Sequence, residues 1–375
     1  MNHPRSSLLT VLFVTMLMLL VECDASPAIL TRSSLSATAL SSTVAFASTF
    51  SSPRFAAPAP LLPKPIVIDT DMAADDWMAI MYLLQRPDVL VKAITVTGAG
   101  EAHCDPGVRH ALELVALSKG DKVPVACGRE TPLQGNRTFP TSWREGVDGL
   151  LGLTLPKGEA IPSELTAVEL LNSVIQSSPD KVTLLTLGPL TNVAEAIRSN
   201  PHWVDNVEQI YIMGGAVNVQ GNVGTSALWT FNYKAEWNIY VDPLAANIVF
   251  RSGAPITLVP LDATNQVPLT SGVYEQIKNN HPSAAATFVF DILTKQKFFI
   301  YLGGYYFWDP LAAAVLTNES LATFEPKKLC VVEGEGRESG WTKVDDGCPE
   351  IRVAVSVDSM RFEQIFLDTL NTASP

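Results

Sequence analysis

Residues 66–77 read Ile66-Val67-Ile68-Asp69-Thr70-Asp71-Met72-Ala73-Ala74-Asp75-Asp76-Trp77. The first three are β-branched and apolar, the mark of a short buried strand. Trp77, Ile80, Met81 and Leu84 then recur at helical spacing, and Pro87 closes that helix. Four carboxylates therefore sit across a strand end and the first turn of a helix. Their repulsion is costly unless a cation offsets it, with partial help from the helix N-terminus. Crowded oxygen donors suit Ca²⁺ or Mg²⁺, whereas Zn²⁺ more typically recruits His or Cys. A solvated acidic turn with Asp75 as helix cap is the plainer alternative.

Outward from this stretch, strand and helix patterns alternate. Val91–Thr97 reads as a strand, followed by a helix through Val108, Leu112, Val115 and Ala116. Val182–Leu187 is a strand followed by a helix from Leu190, and Val207–Met213 is a strand ending in Gly214-Gly215. Helices are expected after Asp242-Pro243 and Asp309-Pro310, since Pro suits the first helical turn, with a strand over Ile256–Leu261 between them. The alternation implies an α/β fold, a mostly parallel central sheet with helices on both faces. Ligands of such sheets lie beyond the carboxyl ends of the strands. The segment Cys330–Ile351 reads as loop-rich, acidic and peripheral.

The chain has 375 residues, 47% hydrophobic and 17% charged, which excludes a disordered or coiled-coil protein. Lys and Arg total 26 against 38 Asp and Glu, a net charge of −12. That balance argues against a nucleic-acid phosphate groove and against anionic membranes. No apolar run reaches the roughly 20 residues of a membrane-spanning helix. Up to Pro63 there are three Arg and two acids, so the remainder carries −13. Leu8–Val21, uncharged behind Arg5, has the character of a secretory signal, giving residues 1–23 as a signal peptide. Residues 24–63 are rich in Ser, Thr, Ala and Pro and read as a linker or the second half of a plastid address. Residues 64–375 form the organised domain. A secretory route would open Asn136-Arg-Thr and Asn318-Glu-Ser to glycosylation and permit a Cys330–Cys348 bridge, with buried thiols as the alternative.

The Asp69–Asp76 spacing resembles the N-terminal fingerprint of the inosine-uridine preferring nucleoside hydrolase family. Further matches follow in order: Leu187-Gly-Pro-Leu-Thr-Asn192, Met213-Gly-Gly215, Glu236-Trp-Asn238, Asp242-Pro243 and Trp308-Asp309-Pro310. Phosphatases of the haloacid dehalogenase type also begin with a strand-end Asp-x-Asp, but place Thr or Val where Ala73 stands. The resemblance implies an open α/β fold and hydrolysis of the N-glycosidic bond of ribonucleosides around one Ca²⁺. It implies Asp71, Asp76, Asp309 and the Leu187 carbonyl as metal ligands, with Asp71 also the general base. Asp75 and Asn238 would hold the 2′- and 3′-hydroxyls, and Asn222 and Glu236 the 5′-hydroxyl. Glu236 and Asn238 read as strand residues sharing one face, Asp242 as a helix cap and Asp69 as loop support.

Many family members place a His before the last metal Asp to protonate the departing base; here Trp308 stands there. A purine-preferring branch shares that Trp and stacks the base between two indoles, with Trp143 as the candidate second slab. Glu101 matches a position that steadies the attacking water and sugar; a shifted register would put His103 there. Tyr301, Tyr305 and Tyr306 suit either an aromatic lid or core packing. The expectation is a Ca²⁺-dependent purine nucleosidase acting on a small-molecule nucleoside. A pyrimidine hydrolase and an inactive nucleoside-binding protein are the alternatives. The resemblance suggests homo-oligomers, although no interface signature is visible.

Overall fold

The computed structural model describes residues 62–118 and 123–372. The signal-peptide and linker expectations lie outside them. Nine strands form one sheet: β1 (Lys64–Thr70), β2 (Val89–Val96), β3 (Val125–Cys127), β4 (Val182–Thr186), β5 (Val207–Met213), β6 (Ile256–Val259), β7 (Ala322–Val331), β8 (Thr342–Val344) and β9 (Glu350–Val357). Their spatial order is β3-β2-β1-β4-β5-β6-β9-β7-β8. The pairs from β3 through β6 to β9 are parallel, and β7 runs antiparallel to both β8 and β9. The mostly parallel α/β architecture read from the sequence is therefore the one observed.

Alternation along the strands divides the core in two, because successive side chains of a strand point to opposite faces. Ile66, Ile68, Ile94, Val96, Leu185 and Val259 pack on one face with the helices Ala74–Leu84, Cys104–Leu117, Ala284–Lys295, Trp308–Thr317 and Ser359–Asn371. Val67, Ala93, Leu184, Ile210, Ile212 and Leu258 pack on the other with Ala167–Ser177, Thr191–Ser199 and Pro243–Phe250. Both faces are covered, so these strands read as continuous apolar runs.

Sheet growth reverses beside β1. The chain proceeds from β1 to β2 and β3 in one direction, then from β4 to β6 in the other. Such a reversal leaves a crevice between two strand ends, here those of β1 and β4. Asp71 stands in it.

The segment Cys330–Ile351 is loop-rich and largely exposed at one edge of the sheet, as its sequence implies, but it also contributes strand residues. It holds the end of β7, all of β8 and the start of β9, with Val331 and Thr342 buried. Its acidic side chains lie at the exposed turns, which concealed the pairing in the sequence. Cys330 and Cys348 form a disulfide across this region. A second disulfide, Cys104–Cys127, was not anticipated and joins the helix after β2 to the end of β3.

Candidate active site

The joint after β1 is buried, not a solvated turn: Asp69, Asp71 and Asp76 are at most 1% exposed. Asp69 supports the fold. Its Oδ1 accepts from Thr95 Oγ1 at 2.6 Å and from Asn192 Nδ2 at 2.8 Å, tying β1, β2 and the helix after β4 together. Asp76, not Asp75, closes the helix start, with Oδ2 accepting from the Ala73 amide at 3.1 Å and Oδ1 from the Thr70 hydroxyl. Met72 is held at φ +59°, in the left-handed region that a non-glycine residue enters at a cost. That strained residue lies immediately after Asp71.

Two glycines allow the neighbouring loops to close on Asp71. A Cβ on Gly100 would lie 2.1 Å from Asp71 Cβ, and one on Gly188 would lie 2.7 Å from it. The Glu101 amide donates to Asp71 Oδ2 at 3.1 Å, while Oδ1 is buried with no partner. Asp309, in the first turn of Trp308–Thr317, likewise has a buried, unpartnered Oδ1. One oxygen each from Asp75, Asp76 and Asp309 lies within 4.8 Å of the others. Asp71 stands against Asp76.

Burial pushes each of these acids up, and their mutual repulsion adds to it. Asp76 is raised to about 7 by burial and then by the Asp75 charge. Asp75 is raised to about 6, chiefly by burial. Asp71 and Asp309 rise well above the carboxylate range from burial, then from their acidic neighbours. Orphaned oxygens and crowded like charges fit a hard cation with an oxygen shell, as the sequence suggested. The trio within 4.8 Å nevertheless contains Asp75, for which the resemblance implies a ribose contact, and not Asp71, for which it implies a metal bond. The Leu187 carbonyl already accepts from Asn238 Nδ2 at 2.9 Å, which leaves it one lone pair for an ion.

Glu236 and Asn238 are not on a strand. Glu236 caps the short helix Trp237–Val241, accepting from the amides of Asn238 at 2.9 Å and Ile239 at 3.3 Å. Three residues of alternation cannot separate a strand from a cap followed by a helical turn. The pair still meets at the site, because Asn238 Nδ2 reaches the Leu187 and Met213 carbonyls after β4 and β5. Burial lifts the Glu236 carboxyl to about 7. Asn222 joins them through Oδ1, which accepts from the Trp237 amide at 3.2 Å. Asp242 is the helix cap expected, accepting from the Ala245 amide.

The choice between Glu101 and His103 is resolved by position. Glu101 faces the cluster: burial, then Asp71 and Asp75, raise it well above the usual range. His103 turns away, its Nδ1 2.6 Å from Asp148 Oδ2 on the helix Thr141–Asp148. Arg144 of that helix donates to the Glu101 carbonyl at 3.2 Å and the Gly98 carbonyl at 2.8 Å, holding the loop. Trp143 is half-buried against Phe139 and Trp237, the latter lying between Glu236 and Asn238 in the sequence. Trp308 packs on Tyr305 and Tyr306, and no ring contact joins it to Trp143 among the described residues. Tyr305 is buried, and its hydroxyl is pushed up by burial and then by Asp75, Glu101, Asp309 and Asp76, which places it beside the acids. Tyr301 is 54% exposed. Sequence reasoning left Tyr305 undistinguished within its aromatic run.

The switch point of the sheet thus carries a cluster of buried carboxylates, an arrangement that could hold a metal ion beyond the strand ends. Residues 66–364 match the family model for inosine-uridine preferring nucleoside hydrolases, and the chain belongs to that family. It is 35% identical to uridine nucleosidase 1 of Arabidopsis thaliana over 290 residues, 76% of this chain and 82% of that protein. A solved plant nucleoside hydrolase, PpNRh1, superposes with a TM-score of 0.73 at 29% identity, covering 83% of this chain and 99% of that one. The purine-preferring ribonucleoside hydrolase from Gardnerella vaginalis gives a TM-score of 0.69 at 29% identity, covering 82% and 98%.

Proposed function

We propose that the chain hydrolyses the N-glycosidic bond of purine ribonucleosides, with Ca²⁺ as the resident ion, releasing free base and ribose. The observation that carries the reading is the trio Asp75, Asp76 and Asp309 with Asp71 against Asp76 at the β1–β4 crevice, the Oδ1 atoms of Asp71 and Asp309 being unpartnered. Asp71, Asp76, Asp309 and the Leu187 carbonyl would hold the ion, and Asp75 is close enough to Asp76 and Asp309 to share it. When bound, Ca²⁺ offsets the repulsion among the acids and makes a neighbouring water easier to deprotonate.

Asp71 takes the proton of the attacking water at Oδ1, while its Oδ2 stays on the Glu101 amide. The water oxygen bonds to the anomeric carbon as the bond to the base nitrogen breaks; the electron pair of that bond leaves with the base, which takes up a proton from solvent. The transition state has oxocarbenium character. Asp75 and Asn238 hold the 2′- and 3′-hydroxyls. Glu236 and Asn222 hold the 5′-hydroxyl from a segment that their own backbone bonds keep rigid. Such bonds contribute to rate insofar as they tighten in the transition state. Trp308 stacks on the base, a contact of roughly 1–3 kcal/mol in other nucleic-acid systems.

Uridine nucleosidase among the relatives favours a second reading, in which pyrimidine nucleosides are preferred. Passage through the secretory route is supported by the Leu8–Val21 run and by two disulfides, which persist in oxidising compartments. A reducing-sugar assay over purine and pyrimidine nucleosides, with and without chelator, tests the proposal. Release of ribose from inosine that chelation abolishes and Ca²⁺ restores supports it. Silence across the panel supports a nucleoside-binding protein without turnover.

A further inference from the structure

We propose that Thr342, on the β7–β8 hairpin, is a positioning residue that sets the ribose-holding segment through Gly215 and Glu236. The inference rests on the hydrolase reading above. Thr342 is fully buried on β8, opposite Val331 of β7. Its Oγ1 accepts from the Ala216 amide at 3.2 Å. It also stands 2.7 Å from where a Cβ on Gly215 would lie, and Gly215 has φ +82°. The remaining groups of Gly215 are committed as well. Its amide donates to Glu236 Oε2 at 2.9 Å, and its carbonyl accepts from the Leu261 amide at 2.9 Å. Moving Thr342 therefore moves the donor that aims the Glu236 carboxylate.

A second set of contacts binds the same hairpin to the same segment. Buried Asn232 donates from Nδ2 to the Ser339 carbonyl at 2.7 Å, and its Oδ1 accepts from the Lys234 and Ala235 amides. Ala235 pairs with Trp341 as an antiparallel bridge. A Cβ on Gly340 would lie 2.7 Å from Tyr240 Cα, so the two backbones touch. The Cys330–Cys348 disulfide closes the hairpin at its base. Residues 232–241, which carry Glu236 and Asn238, thus lie on a cross-linked hairpin that contributes no side chain to the carboxylate cluster.

The test compares Thr342→Val and Thr342→Ser with the wild type on a ribonucleoside and its 5′-deoxy counterpart. A lost buried hydrogen bond converts to about tenfold, so Thr342→Val should lower kcat/KM about tenfold on the ribonucleoside. The loss on the 5′-deoxy substrate should be much smaller, and Thr342→Ser should restore the difference. Equal losses on both substrates, or none, overturn the positioning role. Amide exchange supplies a readout independent of turnover: Gly215, Ala216, Asn238 and Ile239 should exchange faster in Thr342→Val while β1 does not. Unchanged or uniformly faster exchange also overturns the proposal. If valine is not accommodated, Thr342→Ala carries the same expectations. A wild type inactive on every nucleoside sinks the hydrolase reading instead, and exchange alone then decides the role of Thr342.

Discussion

With the cation stripped from the carboxylate cluster, the protein should lose stability as the pH rises from 6 to 8. Asp69, Asp76 and Glu236 are each raised to about 7 by burial. Unfolded, each would ionise near pH 4, so in this window the native state binds more protons than the unfolded chain and stability falls with pH. A group with a folded pKa of about 7 loses about 1.4 kcal/mol between pH 6 and 8, so the three together lose about 4 kcal/mol. His110 opposes them. Burial, then Arg109, lowers it to about 4, so its stability contribution is lost as the pH falls from its unfolded value near 6.5 towards 4. It returns roughly 1 kcal/mol between pH 6 and 8, leaving a net loss of at least about 3 kcal/mol, to which Asp71, Asp75, Asp309 and Glu101 add because they are raised in the same direction. For about 300 ordered residues, an unfolding entropy near 0.6 kcal/mol/K converts this to a fall in Tm of at least about 5 °C. Calorimetry of chelator-treated protein at the two pH values measures it. Saturating Ca²⁺ should raise Tm more at pH 8 than at pH 6, because it favours ionised Asp76 and its neighbours. An apo Tm that is flat or rising with pH, or an equal Ca²⁺ shift at both, would refute the reasoning.

Three further outcomes follow from the same contacts. Trp308→Ala should reduce kcat/KM for inosine more than for uridine; equal losses in parallel steady-state assays would remove the purine argument. Gly100→Ala forces its Cβ against Asp71 and should cost at least tenfold in kcat/KM, read by the same assay; wild-type kinetics would show that the loop yields freely. Asn192→Ala removes one of two donors to the buried Asp69 and should destabilise by about 1–3 kcal/mol in urea titration, an effect that a solvated Asp69 would not give.

Much of this site was legible because its determinants are local. Ile66–Trp77 carries strand, turn and helix start in twelve consecutive residues, and the apolar runs of β1, β2, β4 and β5 follow from burial on both faces. What escaped depends on partners distant in sequence. His103 was ambiguous because Asp148 lies 45 residues away. Asn192 was one letter of a motif until Asp69 appeared beside it. Thr342 was hidden in an acidic segment whose charges mark turns, while the hairpin bonds are made by backbone and one hydroxyl. Trp143 could be placed near a site by its sequence context, but not against Trp237. Base preference is legible in neither the carboxylates nor the sheet, since in the proposed mechanism these act on the sugar and the water.

The central claim is that Asp71, with its unpartnered Oδ1, is the base. Single-turnover kinetics of Asp71→Asn at saturating Ca²⁺, with nucleoside affinity measured on the same protein, test it most directly. The account predicts a fall in the rate of the chemical step of about 10²–10⁴-fold with affinity within a few-fold of wild type. A variant that retains the wild-type rate would contradict it.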